Sequence, residues 1–273
     1  MRQRVAPGRA CVTGASSGIG EAFARALAAR GAQLELVARS SARLEALAAE
    51  LEHAHGATCR VTACDLADRA AVAELARRLE AEPPDLLVNN AGFGCYGPFA
   101  DRPVEPQLAL IDVNMRALVQ LSHGFVRGSL RRGGGALLLV ASTAGYAPVP
   151  FSSTYAASKS FVIHFGEALW EELRGTGVRV LTVCPGFTRT RFAATAGMPR
   201  QVEWRRGAAP EAVVATALAA LVGGAPTVVH GRITQLAGSL GRVLPRRLVL
   251  RVLGAWGRRR LRAHSGDGAR AAR

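Results

Sequence analysis

At 273 residues, 49% of them apolar and 20% charged, the chain is long enough to bury a substantial core and too apolar for a disordered segment. Its formal charge of +15 is strongly basic, yet aromatic residues make up only 5%, which argues against a nucleic-acid surface built on base stacking. Five cysteines, an odd number without a Cys-x-x-Cys spacing, argue against a disulfide framework and against zinc, so no metal is expected. Met1 to Arg9 lacks the apolar core of a signal peptide, and no uncharged stretch of about 18 residues could span a bilayer. A reducing, cytoplasmic compartment is the resulting expectation.

Ala10-Cys11-Val12-Thr13 reads as a short buried strand, followed by Gly14-Ala15-Ser16-Ser17-Gly18-Ile19-Gly20 and an alanine-rich helix to about Arg30. Strand, glycine turn and helix in that order suit a dinucleotide: Gly14 for the tight turn, Gly18 for close approach of backbone to a pyrophosphate, Gly20 for helix–strand packing. A purely structural turn is the alternative. Further strands are expected near 33–38, 57–62, 85–89, 136–141, 178–184 and 226–229, with helices between them. The alternation implies one α/β domain over residues 1–235: a Rossmann-like, doubly wound parallel sheet with helices on both faces.

Tyr155-Ala156-Ala157-Ser158-Lys159 holds the only lysine of the chain; the other 34 of the 35 basic residues are arginine. A lysine ammonium is a compact point charge that the planar arginine fork does not replace. On a helix, positions i and i+4 share a face, which puts Lys159 beside the Tyr155 phenol. A cation there favours phenolate and is expected to lower the tyrosine pKa, as a general acid or base requires. From Arg242 to Arg273 there are ten arginines against one acid, Asp267, so this segment carries 10 − 1 = +9 of the +15. Leu244, Leu248, Val252 and Trp256 recur every fourth residue, giving residues 236–273 the look of a basic amphipathic helical extension with a disordered tail from about 263. Association with an anionic membrane surface and docking on the catalytic domain or a partner subunit stand as equal readings, ahead of a solvated tail or nucleic acid.

Taken together, Thr13 to Gly20, Asp65-Leu66, Asn89-Asn90-Ala91-Gly92, Asn114, Ser142, Tyr155-x-x-x-Lys159 and Pro185-Gly186-Phe187-Thr188-Arg189-Thr190 resemble the short-chain dehydrogenase/reductase superfamily, over roughly residues 9 to 230. The glycine spacing resembles its single-domain oxidoreductase branch. The resemblance implies hydride transfer between a nicotinamide cofactor and a carbonyl or alcohol. In that scheme Tyr155 is the proton donor or acceptor, Lys159 also binds the nicotinamide ribose, Ser142 polarises the carbonyl and Asn114 holds a relay water. It further implies that Ser16, Ser17 and Ile19 join the glycines at the cofactor, that Asp65 and Leu66 meet the adenine, and that Asn90, Ala91 and Gly92 form the ribose turn. Pro185, Gly186, Thr188 and Thr190 would face the nicotinamide carboxamide.

The second strand ends in Ala38-Arg39-Ser40 without an acid, so NADP is expected over NAD, with Arg39 on the 2′-phosphate and Ser40 or Arg43 assisting; Glu35 should point elsewhere. Residues 191–210 read as a structureless cover over the substrate. Tyr96, Phe99, Tyr146, Phe151, Phe192, Met198 and Trp204 could line an apolar pocket, which leans the substrate towards a lipophilic ketone or secondary alcohol. Cys95 lies beside the site, as small pocket lining or as a reactive thiol. A 3-oxoacyl thioester reductase drawing an acidic carrier protein, and a catalytically silent NADP(H) sensor, are the alternatives. Family members commonly form dimers or tetramers, so a homo-oligomer is expected, and the basic extension leaves an inner-membrane-surface location open.

Overall fold

The structure, a computed structural model, describes residues 8–198, 207–231 and 245–270, with side chains in the last helix described to Arg259 and at Leu261. Seven strands form one sheet: β1 (Arg9–Thr13), β2 (Gln33–Ala38), β3 (Cys59–Ala63), β4 (Leu86–Asn89), β5 (Gly135–Val140), β6 (Val178–Cys184) and β7 (Thr227–Val229). Their order is β3-β2-β1-β4-β5-β6-β7, and every pairing is parallel. The chain winds one way from β1 to β3 and the other way from β4 onward. The switch therefore falls between β1 and β4, and the C-terminal edge of that seam is where such sheets hold ligands.

Both faces are covered, which is why β4 and β5 read as unbroken apolar runs. Helices α1 (Gly18–Ala28), α2 (Ser41–His55) and α8 (Pro210–Gly223) bury Phe23, Leu27, Leu44 and Val213 on one face. Helices α3 (Arg69–Ala81), α5 (Leu118–Arg132) and α6 (Ser153–Glu172) bury Leu75, Leu121, Phe125 and Val162 on the other. Two glycines let α5 press onto α3: a Cβ on Gly124 would lie 2.3 Å from the Ala76 carbonyl oxygen, and one on Gly128 2.5 Å from that of Glu80.

Three further features bear on the site. The helix after Pro103 is not continuous: α4 (Val104–Ile111) passes into α5 through a π-helical turn at Asp112–Ala117, whose wider winding turns Asn114 fully inward. The span 191–210 is not structureless, because Phe192–Thr195 forms the short helix α7 and Thr188 bridges Ala208. The C-terminal helix α9 runs from Arg246 to Arg270. Trp204, Leu244 and the expected boundary at 235/236 lie outside the described residues.

The packing makes opposite forecasts for two helical glycines. Gly124→Ala should destabilise the fold by about 1–3 kcal/mol, because the added methyl meets backbone. Gly223→Ala, with nothing within 4 Å of its added carbon, should stabilise it by about 0.5–1 kcal/mol. Paired denaturant titrations read both signs; equal effects would contradict the packing.

Candidate active site

The β1–β4 seam is tied at its upper end by one threonine. Thr13 Oγ1 accepts from the amides of Asn90 (2.9 Å) and Ala91 (3.0 Å), and Asn90 Nδ2 returns a bond to the Thr13 carbonyl (2.8 Å). Gly14 (φ 67°) leaves the strand in the left-handed region that favours glycine, packed on Asn90. A Cβ on Gly20 would lie 2.2 Å from the Gly14 carbonyl oxygen, so α1 starts directly against the turn with its N-terminal amides beside Ser16, Ser17 and Ile19.

A cleft of about 770 Å³ opens there, lined by Ser16, Ser17, Gly18, Arg43, Thr190 and Glu211 among others. Arg25 is held by Glu21 (2.8 Å) and Glu50 (2.6 Å), whereas Arg43, Arg189 and Arg191, also at the cleft, have no ion-pair partner among the described residues. Gly18 (φ 60°) sits under the Thr190 side chain, at 3.0 Å from a built Cβ to Cγ2. Amide donors, a helix N-terminus and free arginines suit a dinucleotide carrying phosphates. Arg39 is exposed after β2, next to Ser40 at the start of α2. Glu35 points away from it, accepting from Thr62 (2.8 Å) and Arg78 (2.5 Å). Asp65 accepts from the Ala67 amide (3.0 Å), and its neighbour Leu66 is buried.

The chemistry-bearing groups gather at the ends of β4, β5 and β6. Ser142 follows β5; its hydroxyl accepts from the Ala144 amide (3.1 Å) and is hydrogen-bonded to Tyr155. Lys159 is 5% exposed and donates to the Val140 carbonyl (2.9 Å), with Nζ 5.9 Å from the Tyr155 ring centre. Asn114 is spent on local structure: its Oδ1 accepts from the Phe93 amide (3.1 Å), and its Nδ2 donates to the Phe93 carbonyl (3.0 Å) and Ser158 Oγ (3.1 Å). A Cβ on Gly92 would lie 3.0 Å from Asn114 Oδ1 and 3.3 Å from Lys159 Nζ, so a larger residue there would crowd both groups. Pro185 and Thr188 are buried behind the site, with Thr188 bonded to the Gly186 carbonyl (3.1 Å).

One electrostatic expectation is reversed. Burial pushes the part-exposed Tyr155 phenol up to about 12, against the opposing pull of its Ser142 hydrogen bond. Burial pushes Lys159 down to about 8, with the Cys184 thiol working weakly the other way. The ammonium does not acidify the phenol in this arrangement: its proton is directed at Val140, and desolvation outweighs a cation at that distance.

Of the residues expected to line the substrate pocket, Phe192 lies against the Tyr155 ring, tilted at 5.1 Å between centres. Tyr96 is buried with its hydroxyl on the Gly257 carbonyl (3.5 Å), and the Phe151 ring packs on Gly257. Phe99 is 64% exposed and faces outward, and Tyr146 packs into the core with its hydroxyl on Cys184 Sγ (3.4 Å). Cys95 is not poised to react: its thiol donates weakly to Pro106 (3.6 Å), and burial pushes its pKa up. Thr13 and Phe93 anchor the site through hydrogen bonds that sequence spacing does not reveal.

Comparison with known proteins agrees with this geometry. The short chain dehydrogenase family matches residues 9–200. The probable oxidoreductase EphD of Mycobacterium tuberculosis is 37% identical over 205 residues, covering 72% of this chain and 34% of that protein. A very-long-chain 3-oxoacyl-CoA reductase of Anas platyrhynchos is 33% identical over 189 residues, covering 67% of this chain and 61% of the relative. The chain thus spans about a third of EphD and about three fifths of the reductase. A Sphingobium yanoikuyae short-chain dehydrogenase solved in complex with NADPH superposes with a TM-score of 0.78 at 32% identity, over 86% of this chain and 94% of its own. This chain belongs to the short-chain dehydrogenase/reductase family of oxidoreductases.

The buried lysine has a consequence for stability. Unfolded, Lys159 holds its proton to about 10.5; folded, only to about 8. The unfolded chain therefore binds more protons between those values, and this group's contribution to stability rises with pH across that window, by at most about 1.4 kcal/mol per pH unit. Denaturant titrations of wild type minus Lys159→Met should show that rise; a flat difference from pH 8 to 10.5 would refute the buried ammonium.

Proposed function

We propose that the protein is an NADP-dependent carbonyl reductase acting on a lipophilic ketone, reversible towards the secondary alcohol. The observation that carries this reading is the gathering of Ser142, Tyr155 and Lys159 at the C-terminal edge of the sheet, with Lys159 Nζ 5.9 Å from the Tyr155 ring centre. At neutral pH the buried phenol keeps its proton, as a general acid towards a nascent alkoxide must.

When bound, the nicotinamide supplies the hydride for the carbonyl carbon. Ser142 orients and polarises the substrate oxygen. Tyr155 Oη donates its proton to that oxygen as negative charge builds, giving the alcohol and leaving a phenolate to be reprotonated. Lys159, an ammonium at neutral pH, stabilises that transient phenolate and holds the ribose; Asn114 fixes the Phe93 backbone and the Ser158 side of α6 behind it. Gly14, Ser16, Ser17, Gly18, Ile19 and Gly20 cradle the diphosphate, Asn90, Ala91 and Gly92 the ribose, Asp65 and Leu66 the adenine, and Pro185, Gly186, Thr188 and Thr190 the carboxamide. Arg39, with Arg43, clamps the 2′-phosphate, which supports NADP over NAD.

A second reading, a 3-oxoacyl thioester reductase, draws support from the name of the duck relative. We assign residues 1–235 to the catalytic unit and 236–273 to an extension. Self-association is assigned to α4, where Val104, Leu108 and Ile111 form an exposed apolar row. No helix among the described residues is long and apolar enough to cross a membrane. The outer side of α9 carries exposed Leu248, Val252 and Trp256 flanked by Arg247, Arg251 and Arg259, which supports peripheral contact with an anionic membrane surface.

A panel of ketones and 3-oxoacyl thioesters followed by NADPH absorbance tests the enzyme. Tyr155→Phe should lower kcat/KM by about 10²–10⁴-fold with NADPH affinity kept, and Arg39→Ala should weaken NADPH binding by about tenfold or more while leaving NADH unchanged. Tight NADPH binding by a wild type inert across the panel would favour a sensor instead. For the membrane contact, sedimentation with phosphatidylserine vesicles but not phosphatidylcholine vesicles is expected, with release at high salt; equal partitioning would dismiss it.

A further inference from the structure

Helix α9 contains Gly254 and Gly257, both buried, and each glycine in a helix interior costs about 1 kcal/mol relative to alanine. At Gly254 the nearest atoms to a built Cβ belong to the flexible Arg258 side chain of its own helix, 3.3 Å away at the closest. Gly257 is different. A Cβ there would lie 2.5 and 2.8 Å from Cδ2 and Cε2 of Phe151, so the Phe151 ring rests on bare helix backbone. The Gly257 carbonyl also accepts a long hydrogen bond from the Tyr96 hydroxyl (3.5 Å).

Phe151 is itself unusual. It is the one non-glycine residue with positive φ (67°) among the described residues, and for a bulky side chain that conformation costs about 1–3 kcal/mol and persists only where the surroundings impose it. Two contacts impose it here: the Gly97 amide donates to its carbonyl (2.8 Å), and the Gly257 seat holds its ring. The strained residue stands four positions before Tyr155.

Contacts continue from that seat to the catalytic phenol. The Tyr96 amide donates to the Ala196 carbonyl (3.0 Å), just after α7. Gly94 lies against both Phe192 and Ala196, where a Cβ would sit 2.9 and 3.3 Å away, and Phe192 covers Tyr155 at 5.1 Å. The cofactor cleft lies elsewhere, at the start of α1 and beside Arg43 and Thr190.

We propose that α9 is a working wall of the substrate mouth: Gly257 holds Phe151 in its left-handed conformation, and Phe151 with Tyr96 sets how large a substituent on the substrate carbonyl is accepted beside Phe192. The substrate part of this inference rests on the reductase reading. Phe151 and Tyr96 are specificity residues, and Gly257 is a positioning residue that acts through them. Undocking the helix frees Phe151 to relax to negative φ and loosens the 94–97 segment that supports α7.

The experiment uses the full chain as wild type, Gly257→Val and Phe151→Asn; asparagine tolerates positive φ but offers no ring. Hydrogen exchange is followed in peptides spanning 94–97 and 149–156, and kcat/KM is measured for a small cyclic ketone and a polycyclic one. Gly257→Val should speed exchange in both peptides, and both variants should change the ratio of kcat/KM between the two ketones by about tenfold or more, with the Kd for NADPH within about twofold of wild type. Should Gly257→Val not fold, Phe151→Asn alone still decides, since it must change that ratio. Unchanged exchange together with an unchanged ratio would overturn the proposal. Wild type inert towards both ketones would sink the reductase reading, and the exchange data would still accept or reject the coupling of α9 to the mouth.

Discussion

An ammonium buried in a protein needs an oxygen to lie on, and the end of β5 provides one at Val140, where the strand stops and its last carbonyl is available to Lys159. That single bond fixes much of the surrounding architecture. The lysine reaches it from the first turns of α6, so α6 must cross close to the sheet. Glycines make that approach sterically feasible: a Cβ on Gly166 would fall 2.0 Å from Thr182 Oγ1, and one on Gly145 2.7 Å from the Lys159 carbonyl carbon. On the other side, Gly92 and the inward-turned Asn114 leave the ammonium a lined space without a competing carboxylate. Among the described residues no acid pairs with Lys159, which is why burial and not an ion pair governs its proton affinity.

The same burial holds the phenol proton: pushed up to about 12, Tyr155 keeps it at neutral pH, which suits the general-acid role proposed for it. Ser142 is bonded to the phenol and also fixed by the Ala144 amide, so the two hydroxyls are presented together at one sheet edge.

What could be read from the chain follows the range of the interaction involved. The glycine turn, the Tyr155/Lys159 pair and the strands are local patterns, and β2, β6 and β7 fall within a residue of where periodicity places them. Glu35 turning away from the cofactor edge was legible from strand alternation alone. The direction of the Tyr155 shift was not, because spacing along a helix counts a neighbouring charge and says nothing about desolvation. The π-helical turn escaped because one extra residue in a helical turn leaves no mark in an apolar pattern. Tyr146 and Phe99, which meet the core and the solvent, could not be placed for a related reason: an aromatic side chain near a site in sequence can as readily face either. The seat of Phe151 on α9 links residues more than a hundred positions apart, and no local signal reports it.

Glycine offers a way to recover part of that non-local information. Where a built Cβ meets fixed atoms at well under 3 Å, the residue type records a close approach that the fold requires. At Gly124 and Gly128 the neighbours are backbone atoms of α3, remote from the cleft, and the meaning is packing. At Gly20 the neighbour is the glycine turn after β1, and at Gly257 it is the ring of the strained Phe151. Gly92 meets the ammonium and its asparagine neighbour at slightly longer range. These three lie at the turn after β1, beside Lys159 and against Phe151, and Gly257 falls beyond the matched family region of residues 9–200. The docked inner side of α9 and its exposed, arginine-flanked apolar row are then compatible uses of one helix, since the glycine seat occupies one side and leaves Leu248, Val252 and Trp256 on the other.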